Sequence, residues 1–404
     1  MSLLAVSPRI LHLTHEGLRD EMTRMGVHPR GIEIMAAKVP QLLIRLEALD
    51  LRAALILKQD MLSLGGDVAL CSAAAGLKVT STPALIMGTR AHIMKLVDKI
   101  GDQPFGLGGL AASLTEVLES EQAPRQFEVG GRNLLSGEKT LVMGILNVTT
   151  DSFSDGGLYL DTGEAVSRGM RMFEEGADIV DVGGESTRPG AAAVDAETET
   201  DRVLPVIEGL VREGAGILSV DTTKAQVAEK AVAAGASIVN DVSGMNFDPR
   251  MSLVVNQEGA SAVLMHIRGT PENMQKNTVY KDLMGEVFAH LDRSVRALVE
   301  AGVPRKRLCV DPGIGFGKRP EHNTEIIARL GELRSLGTAV MVGASRKSFI
   351  GHFLGEEVDR RLEGSLAAAA AASLRGADIV RVHDVAATVK ALKICDEIRK
   401  WVNG

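Results

Sequence analysis

From about residue 138 onward the chain repeats one rhythm: a short β-branched run, a polar or glycine-bearing turn, then a helical pattern. Eight such runs occur, "TLVMGILNV", "IVDVGG", "ILSVDT", "SIVNDVS", "AVLMHI", "LCVDPG", "AVMVGAS" and "IVRVHD". Helix-like stretches such as "GEAVSRGMRMFEEG", "TKAQVAEKAVAAG" and "VFAHLDRSVRALVEAG" separate them, and several close on a glycine suited to a C-terminal cap. Near-continuous apolar strands alternating with helices require a parallel sheet covered on its outer face. Eight units within 138–404 fit a closed (β/α)8 barrel in size. An open doubly wound sheet is the alternative that the pattern allows.

Residues 1–125 lack this regularity. "ALIMG" reads as a strand, "LDLRAALILKQDMLSLGG" as an amphipathic helix ending at Gly65-Gly66, and the whole as a small additional N-terminal α/β domain. The polar, glycine-rich "FEVGGRNLLSGEKT" predicts a linker at 126–137. Aromatic residues make up only 3% of the chain, so both cores must be aliphatic. A net charge of −7 argues against general capture of nucleic acid but leaves room for a local basic pocket. Cys71, Cys309 and Cys395 form no CxxC pair, so neither a disulfide framework nor a zinc knuckle is expected, and a reducing cytoplasm fits. Pro8, Arg9 and two histidines interrupt the start where a signal peptide needs an apolar run, and the Ala-rich "LAAAAAASL" is too short to span a bilayer. A soluble cytoplasmic protein without a membrane partner is therefore expected.

The strand ends carry the chemistry. In chain order they supply Asn147 and the loop with Asp151 and Asp155; Asp181, Glu185, Ser186, Thr187 and Arg188; Asp221; Asn240 and Asp241; Met265, His266 and Arg268; Asp311 with "DPGIGFGK"; Ser345, Arg346, Lys347 and Ser348; and Arg381, His383 and Asp384. In a closed parallel barrel these positions converge on one rim, where such folds place their active sites. An Asp or Asn after a strand is commonly just the N-cap of the next helix. Hydrogen-bonding groups at all eight ends exceed what capping needs. Asp221, Asn240 and Asp311 can match a flat heterocycle offering several N–H donors, with Lys347 donating to a ring carbonyl or nitrogen. Arg381, His383, Asn147 and Arg346 suit a polyanion, with or without a divalent metal.

The motifs "MGILNVTTDSFSDGG", "DVGGESTRPGA", "SVDTTK", "NDVSG", "LMHIRGTPENMQ", "DPGIGFGK", "GASRKSFIG" and "RVHDV" together resemble those of dihydropteroate synthases, in family order across residues 140 to 385. The resemblance implies a transferase that joins p-aminobenzoate to 6-hydroxymethyl-7,8-dihydropterin diphosphate and releases pyrophosphate in folate biosynthesis. It implies that Asp221, Asn240, Met265, Asp311 and Lys347 bind the pterin. Asn147, Arg381 and His383 would hold the diphosphate, with Asn147 a ligand of Mg2+. Thr187, Arg188, Pro189, Phe316 and Ser348 would form the p-aminobenzoate pocket. Asp155, within a first loop at 149–157, would stabilise a pterin cation formed in an SN1-like displacement, with Lys347, Asp221 and Arg381 also catalytic. Thr150 stands where the family usually has proline, which removes no chemical group. A homodimer and inhibition by sulfonamides are further implications.

His266, Glu185 and Asp181 read as structural or pocket-wall residues, and His322 and His352 as solvated surface positions. His12, His15 and His28 lack metal-ligand spacing. Two rival readings remain at this point: a pterin-dependent methyltransferase barrel, and an idle barrel carrying a regulatory or scaffolding N-terminal domain. The first needs neither a diphosphate site nor the "SFSDGG" and "STRPG" loops.

Overall fold

The computed structural model describes residues 15–36, 41–137, 139–148, 162–186 and 194–403. The chain divides into two compact units, residues 1–122 with 398–404, and residues 123–397.

The first unit contains helices α1 (His15–Arg24) and α2 (Pro29–Ala36) and then β1 (Gln41–Asp50), α3 (Leu51–Ser63), β2 (Asp67–Leu70), α4 (Ser72–Ala75), β3 (Ser81–Thr89), α5 (Arg90–Ile100) and α6 (Leu107–Gln122). Its sheet is antiparallel in the order β1-β3-β2. Asp50 and Thr89 cap α3 and α5 through their side chains, each turning strand directly into helix. The core is aliphatic, built on Leu57, Met61, Ile86, Ile93, Leu96 and Ile100. Strand β3 and helix α3 correspond to the predicted elements.

The second unit is a closed parallel barrel. Its strands are β6 (Leu141–Asn147), β7 (Ile179–Gly183), β8 (Ile217–Asp221), β9 (Ile238–Asp241), β10 (Ser261–Met265), β11 (Leu308–Asp311), β12 (Ala339–Val342) and β13 (Ile379–Val382). Each pairs with its sequence neighbours, and β13 closes on β6. The covering helices are α7 (Thr162–Glu174), α8 (Ala196–Arg212), α9 (Ala225–Ala233), α10 (Met251–Gln257), α11 (Leu283–Glu300), α12 (Pro320–Ala328), α13 (Ser348–Leu354), α14 (Leu362–Leu374) and α15 (Val385–Asn403). All eight predicted strands are present, which excludes the open sheet. Outward-facing Val142, Val180, Leu218, Val239 and Val310 join the apolar layer under the helices.

The inward-facing residues explain where chemistry can occur. Side chains alternate along a strand, so inward positions recur every second residue. At the strand starts these are apolar: Met143, Ile179, Ile238, Val263, Cys309, Met341 and Ile379 form one buried cluster. Two residues further on, the inward positions become Asp181, Asn240, Asp311 and Arg381. The barrel is thus greasy at its base and polar at its mouth.

The predicted linker is instead part of the barrel unit. Strands β4 (Glu128–Val129) and β5 (Arg132–Asn133) form a hairpin around Gly130 and Gly131, whose φ of 56° and 78° lie in the left-handed region. Phe127, Val129 and Leu135 are buried in the basal cluster. Ser261 donates to the Glu128 carbonyl at 2.5 Å, and Arg125 pairs with Asp378 at 2.7 Å. The segment reads as polar because its apolar side chains, these three and the half-buried Leu134, are scattered among glycines and charges. Replacing Phe127, which is fully buried, by Ala should lower the unfolding free energy by about 3–5 kcal/mol in chemical denaturation. A loss below about 1 kcal/mol would mean that the hairpin is an appendage rather than a plug.

Candidate functional site

At the barrel mouth, one guanidinium organises the acids. Arg381 on β13 donates through Nε to Asp181 Oδ2 at 2.6 Å and through its terminal nitrogen to Asp221 Oδ2 at 2.7 Å. Burial works against the Arg381 charge, and Asp181 and Asp221 more than offset it. Asn240 Nδ2 also donates to Asp181 Oδ2, at 2.9 Å. Since a carboxylate only accepts, this bond turns the Asn240 carbonyl oxygen away from Asp181. The wall of the mouth is therefore rich in acceptors: the Asp221 and Asp311 carboxylates and the Asn240 amide oxygen.

Burial pushes the Asp221 carboxyl above its ordinary range, with Arg381 pulling the other way. Burial likewise raises Asp311, opposed by Lys347. Asp311 Oδ1 accepts from the Gly313 N–H at 2.7 Å. Lys347 brings its ammonium to the Ile314 carbonyl and over the Phe316 ring, 4.7 Å from the centroid. Burial pulls Lys347 down to about 8, with Asp311 acting to raise it. Met265 is 4% exposed and packs with Val242, Ile267, Met274 and Phe316 in a small apolar cluster beside these polar groups.

Two strand-end glycines leave the space open. A Cβ on Gly343 would lie 3.7 Å from Arg381 Cβ, 3.8 Å from Lys347 Nζ and 3.9 Å from Asp311 Oδ2. A Cβ on Gly183 would lie 3.5 Å from Asp221 Cβ and 3.7 Å from Asn147 Oδ1. Neither glycine has a positive φ and these distances are ordinary contacts, so what glycine provides here is open room at the mouth rather than a backbone conformation.

His383 follows on the same strand. Its Nδ1 lies 3.1 Å from Ser345 Oγ. Burial, then Arg381 and Arg346, pull its pKa down to about 3, so the imidazole is neutral at pH 7. Bringing an anion to it would reverse part of that shift. Arg346 has a φ of 57°, held by Ser365 Oγ on its N–H and by Arg361 on its carbonyl. This kink sets Ser345 toward His383 while Lys347 begins the next helix as the N-cap of α13. The Arg346 guanidinium binds Asp384 through two nitrogens, at 3.0 and 2.5 Å. Arg346 is thus paired with Asp384, as Arg381 is with Asp181 and Asp221. Ser348 is exposed at the first turn of α13.

Asp155, Thr187, Arg188 and Pro189, with the first loop at 149–157, lie outside the described residues. Glu185 accepts from Val194 N–H at 3.1 Å and from Lys224 at 2.5 Å. Asp181 bonds Arg381 and Asn240. It sits fully buried in the mouth because it is the inward position two residues after Ile179, which strand alternation alone could have revealed. His322 is buried too, accepting from the Arg319 N–H and stacking edge-on to Tyr280. His266 is a wall residue bonded to Lys318, a buried amine that sequence reading passed over.

These distances generate a direct expectation. Gly343→Val should fold with near-native stability yet lose at least about a hundredfold in ligand affinity at the mouth, measured by calorimetry. Unchanged affinity would move the ligand away from the Arg381–Lys347–Asp311 triangle.

Residues 143–383 match the pterin binding enzyme family. A probable bifunctional folylpolyglutamate synthase/dihydropteroate synthase of Halobacterium salinarum is 43% identical over 388 residues, 94% of this chain and 46% of that protein. The chain therefore spans about half the length of that relative, and the match takes in most of the first unit. The dihydropteroate synthase of Synechocystis sp. is 43% identical over 280 residues, 69% of this chain and 97% of its own length. Among solved structures, the Xanthomonas albilineans dihydropteroate synthase with 4-aminobenzoic acid is 45% identical with a TM-score of 0.64, covering 69% of this chain and 99% of that one. With the family matched over residues 143–383 and relatives of this length and identity, the chain belongs to the pterin binding enzyme family, among the dihydropteroate synthases.

Proposed function

We propose that this protein joins p-aminobenzoate to 6-hydroxymethyl-7,8-dihydropterin diphosphate, forming 7,8-dihydropteroate and pyrophosphate. The observation that carries this reading is the juxtaposition at one barrel mouth of an acceptor wall, Asp221, Asn240 and Asp311, with the cationic corner of Arg381 and neutral His383. A flat ring rich in N–H donors satisfies the first, and its diphosphate satisfies the second. A methyl-transfer barrel would have no use for the second.

The roles of the residues follow from their surroundings. Asp221 and Asp311 are fixed carboxylates in a site with little water, so they stabilise positive charge as it grows on the pterin methylene. The Lys347 ammonium donates to the ring. Arg381, already oriented by Asp181, stabilises the departing diphosphate without reorganising. The arylamine nitrogen is neutral at pH 7 and needs no strong base, which agrees with the neutral, walled-in His266. Burial, followed by Lys318, pulls that imidazole far down. Phe316 and Ser348, with Thr187, Arg188 and Pro189, would line the arylamine pocket, and Asp155 would approach the cation.

Among the described residues no group of three His, Cys, Asp or Glu gathers for a resident metal. The space beside Gly183, bordered by Asn147 Oδ1, suits Mg2+ carried in with the diphosphate, since that ion binds few protein oxygens and keeps phosphate and water ligands. Such an ion would supply charge neutralisation for the leaving group. No helix among the described residues is long and apolar enough to cross a membrane. The same reading takes the enzyme as a cytoplasmic homodimer without nucleic acid or membrane partners, as the family resemblance implies.

Release of pyrophosphate with both substrates tests the activity. Wild type should release it, and Asp311→Asn should lower kcat by about 10²–10³. No release above background from wild type at saturating substrate would reject the reading. The pH dependence has a definite sign. Lys347 is cationic below about 8 and loses its charge as pH rises through that value. The pH profile of kcat/KM for the pterin diphosphate should therefore fall on its alkaline side near pH 8, and Lys347→Met should lack that limb. An identical limb in the variant would assign it to another group.

A further inference from the structure

The segment after β11 is shaped by an unusual set of side-chain donors. Gly313, Gly315 and Gly317 have φ of 69°, 84° and 63°, so the chain cannot settle into a ladder or helix there. Four consecutive carbonyls are instead held by side chains. Lys347 bonds Ile314 O, Gln275 bonds Gly315 O at 3.0 Å, Lys318 bonds Phe316 O at 3.0 Å, and Tyr280 bonds Gly317 O at 3.0 Å.

Lys318 stands out among the four. It is 4% exposed, and its Nζ sits between Phe316 O and His266 Nδ1, which is 2.8 Å away. His266 itself lies edge-on to His290 and near Tyr280. Burying an amine is costly, and a merely space-filling position would be better served by an apolar side chain. What the amine achieves is a tie between two strands' ends: β10 through His266 and β11 through Phe316. The Phe316 ring, so fixed, is the surface over which the Lys347 ammonium lies.

We propose that Lys318 is a positioning residue for the arylamine end of the site, holding the Phe316 carbonyl to the His266 ring so that the Phe316 side chain keeps its place against Lys347. The inference rests on the functional reading above, because it takes Phe316 as a wall of the p-aminobenzoate pocket. Lys318 acts through Phe316 and touches neither reacting group. Burial pulls its amine well below the ordinary lysine range, with Asp311 resisting and Lys347 and Arg268 adding to the shift.

The test uses the full-length protein with Lys318→Met and Lys318→Gln. Lys318→Met should raise KM for p-aminobenzoate by about tenfold while kcat and KM for the pterin diphosphate stay within about twofold. Lys318→Gln, which keeps a donor for the carbonyl, should recover most of the loss. Adding Phe316→Leu to Lys318→Met should cost no more than Phe316→Leu alone, because the lysine acts through that ring. Equal rises in both KM values, an unchanged KM for p-aminobenzoate, or additive effects with Phe316→Leu would each overturn the proposal. Should the methionine variant fail to fold, Lys318→Ala, which also removes the donor, carries the same cycle with Phe316→Leu under the same additivity criterion. Hydrogen exchange at amides 313–317 reads the tie without turnover: Lys318→Met should speed it, and unchanged exchange overturns the proposal. Wild type that releases no pyrophosphate would fail the functional reading alone.

Discussion

The buried ion pairs of Arg381 with Asp181 and Asp221 set the terms for everything else at the barrel mouth. Two inward-facing acids on neighbouring strands could not remain charged and unpaired in such a place, and the guanidinium reaching from β13 resolves both at 2.6 and 2.7 Å. The same Asp181 oxygen fixes the Asn240 amide. The half that would bind a ring and the half that would bind its leaving group therefore share one electrostatic network. Removing Arg381 would strand two acids as well as delete an anion donor.

This network is possible only because the barrel is sealed below it. The hairpin side chains Phe127, Val129 and Leu135 complete an apolar base, so the polarity gradient along each strand is set by whether an inward residue is near the plug or near the rim. Above the rim, glycines take over where side chains would obstruct. Gly183 and Gly343 open the mouth, while Gly313, Gly315 and Gly317 let one loop present carbonyls to four separate donors.

Much of this was legible in the sequence because the barrel strands are near-continuous β-branched runs alternating with helical patterns. Asp221, Asn240, Asp311, Lys347, Arg381 and His383 follow from reading what comes at each strand's end. Strand β1 was not legible: "QLLIRLEALD" is made of good helix formers, and only its pairing with β3 makes it a strand. The plug reads as a linker because four apolar residues scattered among glycines and charges carry no periodic pattern. Asp181 and Lys318 were undervalued for a related reason. Their importance lies in cross-barrel partners, at separations of 200 and 52 residues, which spacing along the chain does not encode. The Arg346–Asp384 pair, 38 residues apart, is equally invisible to spacing along the chain.

The account stands on where a pterin ring sits. A crystal structure with 6-hydroxymethyl-7,8-dihydropterin diphosphate bound should show the ring's N–H groups on Asp221, Asn240 Oδ1 and Asp311, the Lys347 ammonium at a ring acceptor, and the diphosphate at Arg381 and His383. A ring seated elsewhere on the barrel, with the Arg381–Asp181–Asp221 network left facing water, would contradict it.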